Sequence, residues 1–144
     1  TDPSYTGQIV TMTYPLIGNY GIAEEDFEST KPRVQGFVVK EYCDAPSNYR
    51  SIMSLGAFLK EHGILGVEGI DTRKLTRHIR LQGAMKGVIS TIEEDIATLT
   101  STANAYPGLV GRDLVAQVTC SEPYHWTENL YDITTNAREP ECKP

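Results

Sequence analysis

Long apolar runs are missing from this chain of 144 residues. None approaches the roughly 20 consecutive apolar residues that a membrane-spanning helix needs, so no membrane partner is expected. Cysteine is scarce, with only Cys43, Cys120 and Cys142. An odd number without C-x-x-C spacing argues against a disulfide framework and for reduced thiols in a cytoplasmic setting. His62, His78 and His125 stand far apart, which argues against a zinc site. Positive charge is in deficit, 13 Lys and Arg against 19 Asp and Glu for a net charge of -6, which disfavours nonspecific nucleic-acid binding. Neither G-x-x-x-x-G-K-[ST] nor G-x-G-x-x-G occurs, so nucleotide binding has no local support. No G-x-S-x-G or G-x-C-x-G elbow is present to present a nucleophile. Cys43 and Cys120 therefore read as buried structural thiols, and Cys142 falls in a polar tail. No self-sufficient catalytic constellation is left.

The length and the apolar fraction of 40% fit one ordinary globular domain with a core of normal size. The opening Thr1-Asp2-Pro3-Ser4 is polar and gives no sign of a signal peptide. It reads as mid-chain material, and the proline-bearing tail over residues 136–144 reads as the start of a linker. Residues 8–14 alternate Ile9, Val10, Met12 and Tyr14 with threonines, which predicts a strand. Pro15, Gly18, Asn19 and Gly21 then predict a loop, made acidic by Glu24, Glu25, Asp26 and Glu28. Its simplest reading is a solvated surface, since three adjacent carboxylates rarely converge on one ion. Residues 34–43 predict a second strand. Ser54 is placed to cap a helix carrying Leu55, Phe58 and Leu59, with Gly63 as its stop. Residues 64–67 predict a short buried strand.

The basic run comes next. Arg73, Lys74, Arg77 and Arg80 fall within ten residues, between caps at Asp71 or Thr72 and a stop at Gly83. At about 100° per residue, Leu75 and Ile79 share the inward face while Arg73, Arg77 and Arg80 gather opposite. Three readings of that face stay open. It is a solvated surface balanced by Glu68 or Asp71, a protein contact, or a phosphate or nucleic-acid surface. Residues 84–90 predict a returning strand, and Thr91 opens a capping-box pattern for a helix with Ile92, Ile96 and Leu99 inward. A short helix over 113–118 and an extended stretch over 124–133 follow. Strands alternating with helices give an α/β, or layered α+β, class.

The order of these residues also resembles a known family. Thr1 to Val10 (TDPSYTGQIV), Tyr14 to Gly21 (YPLIGNYG), Gln35-Gly36-Phe37-Val38-Val39, Gly69 to Arg77 (GIDTRKLTR) and Arg80-Leu81-Gln82-Gly83 are similar to the N-terminal domain of the carbamoyl-phosphate synthase small chain. The likeness covers about residues 1–120. It implies a swivelling-type β/β/α domain over 1–135, with its first strands preceding Thr1, followed at 136–144 by a linker to a C-terminal glutamine amidotransferase domain. It further implies a role beside glutamine hydrolysis, with ammonia passing to a large chain that makes carbamoyl phosphate for pyrimidine and arginine synthesis. ATP, magnesium and potassium are then expected on the large chain and no cofactor in this domain. The partners implied are the large chain, the amidotransferase domain and glutamine. Within the Asp-Pro-Ser-Tyr motif, Ser4 is the residue implied to border the glutamine site. The competing reading gives Ser4 only the turn's own backbone to satisfy. Catalytic residues belong to the other domain. The alternative from a different class is a stand-alone phosphate or nucleic-acid module using Arg73, Arg77 and Arg80.

Overall fold

Three short parallel strands organise the first part of the molecule. In a computed structural model, the described residues are 1–126, 131–132, 134–135 and 137–138. Strand β1 is Ile9–Thr11, β3 is Gly36–Val38 and β5 is Leu65–Val67, paired in the order β1-β3-β5. The rows are Ile9/Gly36/Leu65, Val10/Phe37/Gly66 and Thr11/Val38/Val67. A second parallel pair joins β2 (Leu16–Ile17) to β4 (Glu41–Tyr42). The chain therefore belongs to the α/β class, with parallel sheets and helices, as the sequence predicts.

The second pair continues the first after a break. Met12 N–H reaches the Val38 carbonyl at 2.9 Å, and bonding resumes where Glu41 N–H reaches the Pro15 carbonyl at 3.1 Å. Between Thr11↔Val38 and Leu16↔Glu41 the first strand advances five residues and its partner only three. The extra residues, Thr13 and Tyr14 among them, break the ladder, and Pro15 has no N–H to offer it. This is why the single strands expected over 8–14 and 34–43 are each shorter or split. It is also why Leu16 and Ile17, expected in a loop, form a strand.

The two faces of the sheet are covered differently. Helix α1 (Leu55–Glu61) starts at Ser54, whose hydroxyl accepts the Ala57 N–H at 3.3 Å, and ends before Gly63 at φ 65°. It buries Phe58 and Leu59, with Leu59 over Gly66 on the row that holds Phe37. Phe27 packs against Phe58 with the rings tilted by 47° and their centres 5.7 Å apart. On the opposite face lies the segment 84–90, expected as a strand. It runs as irregular chain, with Gly87 beside Ile9 and Ile89 against Gly36, where a Cβ would stand 2.8 Å from the Ile89 Cδ1. It contributes side chains to a face rather than hydrogen bonds to an edge. Strand β5 was expected to be buried; as an edge strand it leaves Leu65 and Gly66 exposed.

Helix α2 (Thr72–Gln82) is capped by Asp71, whose carboxylate accepts the Lys74 N–H at 2.9 Å, and closes on Gly83 at φ 83°. Thr72, Leu75, Thr76 and Ile79 form its shielded side, with Thr72 fully buried. Helix α3 (Ile96–Ala105) begins later than the capping-box pattern predicts. Ser90 takes the Ile92 and Glu93 N–H groups at 3.1 and 2.8 Å in a separate turn, and Asp95 caps the helix by accepting from Thr98. The inward stripe becomes Leu99 and Ala103, while Ile92 and Ile96 are 93% and 78% exposed, against the sequence expectation.

The first unit comprises Thr1–Leu114 and the second Val115–Pro144. Within the second, α4 (Val115–Val118) falls inside the short helix expected, and β6 (Tyr131–Asp132) pairs antiparallel with β7 (Ala137–Arg138). Tyr124 to Trp126 is irregular, and residues 127–130 and 133 of the expected extended stretch lie outside the described residues. So does the expected linker, apart from Ala137 and Arg138. No helix among the described residues is long and apolar enough to cross a membrane.

Candidate functional site

The motif Asp2-Pro3-Ser4-Tyr5 forms a single 3-10 turn, Pro3–Tyr5, with proline at its first position. Asp2 caps it by accepting the Ser4 N–H at 2.8 Å. The Ser4 carbonyl accepts from Gln8 Nε2 at 2.9 Å. The Ser4 N–H, and after it the Ser4 hydroxyl, hold the Asp2 carboxyl below its ordinary range. The turn's backbone is thus satisfied by Asp2, and Ser4 stands exposed on it. The turn is anchored from behind: Thr1 Oγ1 accepts the Glu28 N–H at 2.9 Å, and Ser29 Oγ donates to the Thr1 carbonyl at 2.5 Å. The geometry presents Ser4 on a pinned backbone.

The basic residues of α2 form a separate surface. Arg73, Lys74, Arg77 and Arg80 are all exposed. Asp71, Arg73, Lys74 and Arg77 line a shallow concavity of about 270 Å³. The intramolecular pairing weighed from sequence does not form: the Asp71 carboxylate caps the helix, and the Glu68 carboxylate accepts the Tyr42 N–H at 3.3 Å. Among the described residues no hydrogen bond or ion pair links this face to the Ser4 turn.

The acidic loop is a structural clamp. Glu24–Asp26 form a 3-10 turn. Arg50 Nη1 donates to Asp26 Oδ1 at 3.1 Å and lies 4.0 Å from Glu25, while the Tyr20 hydroxyl donates to Asp26 Oδ2 at 2.8 Å and contacts Arg50. The hydrogen bond to Asp26 raises the Tyr20 phenol above its ordinary range. Among the described residues no group of three His, Cys, Asp or Glu side chains is placed to hold a metal ion.

Cys43 is half-buried, its thiol 3.3 Å from the Ala45 carbonyl. Cys120, expected to be buried, is exposed, and Cys142 lies outside the described residues. His62 packs on Phe58 with ring centres 4.5 Å apart. One residue that sequence reasoning passed over is Tyr42. Its hydroxyl accepts the Gly56 N–H at 2.9 Å and donates to Asp44 at 2.7 Å, tying β4 to the first turn of α1. A Cβ at Gly56 would stand 2.6 Å from that hydroxyl. A glycine in the first turn of a helix was the available signal.

Fold and turn together define the class: an α/β domain on short parallel strands, carrying a pinned Asp-Pro-Ser-Tyr turn and a basic helix. The family model of the carbamoyl-phosphate synthase small chain, CPSase domain, matches residues 1–89. That stretch includes the turn, both parallel sheets and the basic helix. The carbamoyl phosphate synthase small chain of Syntrophotalea carbinolica is 55% identical over 144 residues, all of this chain and 38% of its own length. That of Nitratidesulfovibrio vulgaris strain Hildenborough is 58% identical over 126 residues, 88% of this chain and 34% of its own. The counterpart in Chlorobaculum tepidum is 56% identical over 124 residues, 86% of this chain and 34% of its own. The chain belongs to the carbamoyl-phosphate synthase small chain family. It spans a little over a third of the length of these curated relatives.

Proposed function

We propose that this chain is the N-terminal domain of the glutaminase subunit of carbamoyl-phosphate synthase. In that role it docks the large chain and borders the glutamine site of a C-terminal amidotransferase domain. The domain takes in residues 1–135, and 136–144 begins the linker. The whole cytoplasmic enzyme releases ammonia from glutamine for carbamoyl phosphate synthesis, feeding pyrimidine and arginine production. ATP, magnesium and potassium serve the large chain, and this domain contributes no cofactor. The observation that carries the reading is the family match over residues 1–89, which contains the whole Ser4 turn. An exposed serine on a backbone fixed by Asp2, Thr1 and Ser29 supports a ligand-facing role for Ser4.

The test uses the full-length small chain with its large chain. Loss of one hydrogen bond to a polar ligand costs roughly 0.5–1.5 kcal/mol. Ser4→Ala should therefore raise the KM for glutamine by about twofold to thirteenfold while leaving thermal stability nearly unchanged. An unchanged KM removes Ser4 from the glutamine site. A large chain that does not bind the small chain removes the docking role.

A further inference from the structure

Helix α2 carries two of its cations where the helix dipole does not favour them, and a third, Arg80, in its last turn. Arg73 and Lys74 lie in its first turn, against the positive end of the helix dipole. Arg73 and Arg77 are four residues apart, Arg77 and Arg80 three, so like charges face one another along one side. No acid interrupts residues 72–82, and among the described residues no carboxylate pairs with any of these four cations. On a chain of net charge -6 that is an unrelieved positive surface. An apolar side chain sits within it. At about 100° per residue Leu81 falls between Arg77 and Lys74, and it is 80% exposed.

We propose that this face of α2 is a contact surface for an acidic protein surface, with Leu81 as its apolar anchor. It rests on the docking reading above, and there the acidic surface belongs to the large chain. Arginine is enriched at protein contacts, and the exposed Leu81 among these cations offers apolar area that a partner surface would remove from water. A phosphate-bearing ligand fits less well. The concavity beside Arg73 and Arg77 is shared with the Asp71 carboxylate, which also occupies the Lys74 N–H at the helix start. No Phe, Tyr or Trp lies within 72–82 to give a base a stacking platform.

Binding of full-length small chain to purified large chain is measured by calorimetry at low and at high salt. Arg73→Gln with Arg77→Gln should weaken binding by about tenfold and flatten its salt dependence, and the double Glu variant should weaken it further. Leu81→Asp should weaken binding at both salt levels. Lys60→Glu, on the exposed side of α1, should bind as the unaltered chain does. The glutamine variants keep the shape and polarity of an exposed helix face, and an unchanged circular dichroism spectrum checks their fold. If the altered helices bind as tightly as the original with the same salt slope, this surface is not the contact although docking stands. If the unaltered chain does not bind, docking itself fails. If it binds a DNA oligonucleotide and the glutamine variants do not, the face recognises phosphate and the protein occupant is wrong.

Discussion

The Tyr42 hydroxyl receives the Gly56 amide and gives its own proton to Asp44, so one phenol closes two bonds between a strand and a helix. The Gly56 N–H is one of the first-turn donors that a helix cannot satisfy internally, and Ser54 reaches only the next, at Ala57. Tyr42→Phe removes both bonds and keeps the ring, and should lower stability by roughly 1–2 kcal/mol in chemical denaturation. This link could not be read from the chain, because Tyr42 and Gly56 are fourteen positions apart and neither type announces the other. Ser4 was legible for the opposite reason. Its motif is four consecutive residues, and Asp2 and Pro3 shape the turn within it.

Among the elements, those set by local chemistry matched their sequence reading. Ser54, Asp71, Gly63 and Gly83 bound their helices where capping rules put them. The start of α3 did not match, because Ser90 and Asp95 both offer caps and each takes its own amides. Residues 84–90 have the apolar, β-branched look of a strand yet lie across a sheet face, and residue type does not distinguish a face from an edge. The Asp95 cap has a consequence in acid. Hydrogen bonds from the Thr98 hydroxyl and N–H hold the Asp95 carboxyl below its ordinary range. Its contribution is therefore complete above the unfolded-state pKa and is lost as pH falls through the lower folded value. The Thr98 amide shift, followed by NMR, should move at a pH below the ordinary carboxylate range, and Asp95→Asn should abolish that movement.

Across the first unit the buried apolar set is small: Ala23, Val38, Val39, Phe58 and Leu59. Leu59 bridges α1 and the central row of the sheet through Gly66, so few other side chains can compensate for its loss. Leu59→Ala should cost about 2–4 kcal/mol and lower the unfolding midpoint in a thermal melt. A loss below about 1 kcal/mol would mean that the helix is held mainly by Ser54 and Tyr42.

The β1-β3-β5 ladder is parallel throughout, and about thirty residues separate each paired position from the next. Each closure costs chain entropy before its bonds form, and the first unit has no antiparallel hairpin between its strands to give a nearby start. Its folding rate is therefore set by encounters between distant segments, a topology that slows small domains relative to helical bundles. During synthesis the central strand waits longest. Until Val67 has left the ribosome, β3 lacks its second neighbour, and Val38 and Val39 remain open to whatever chaperone or stray strand arrives first.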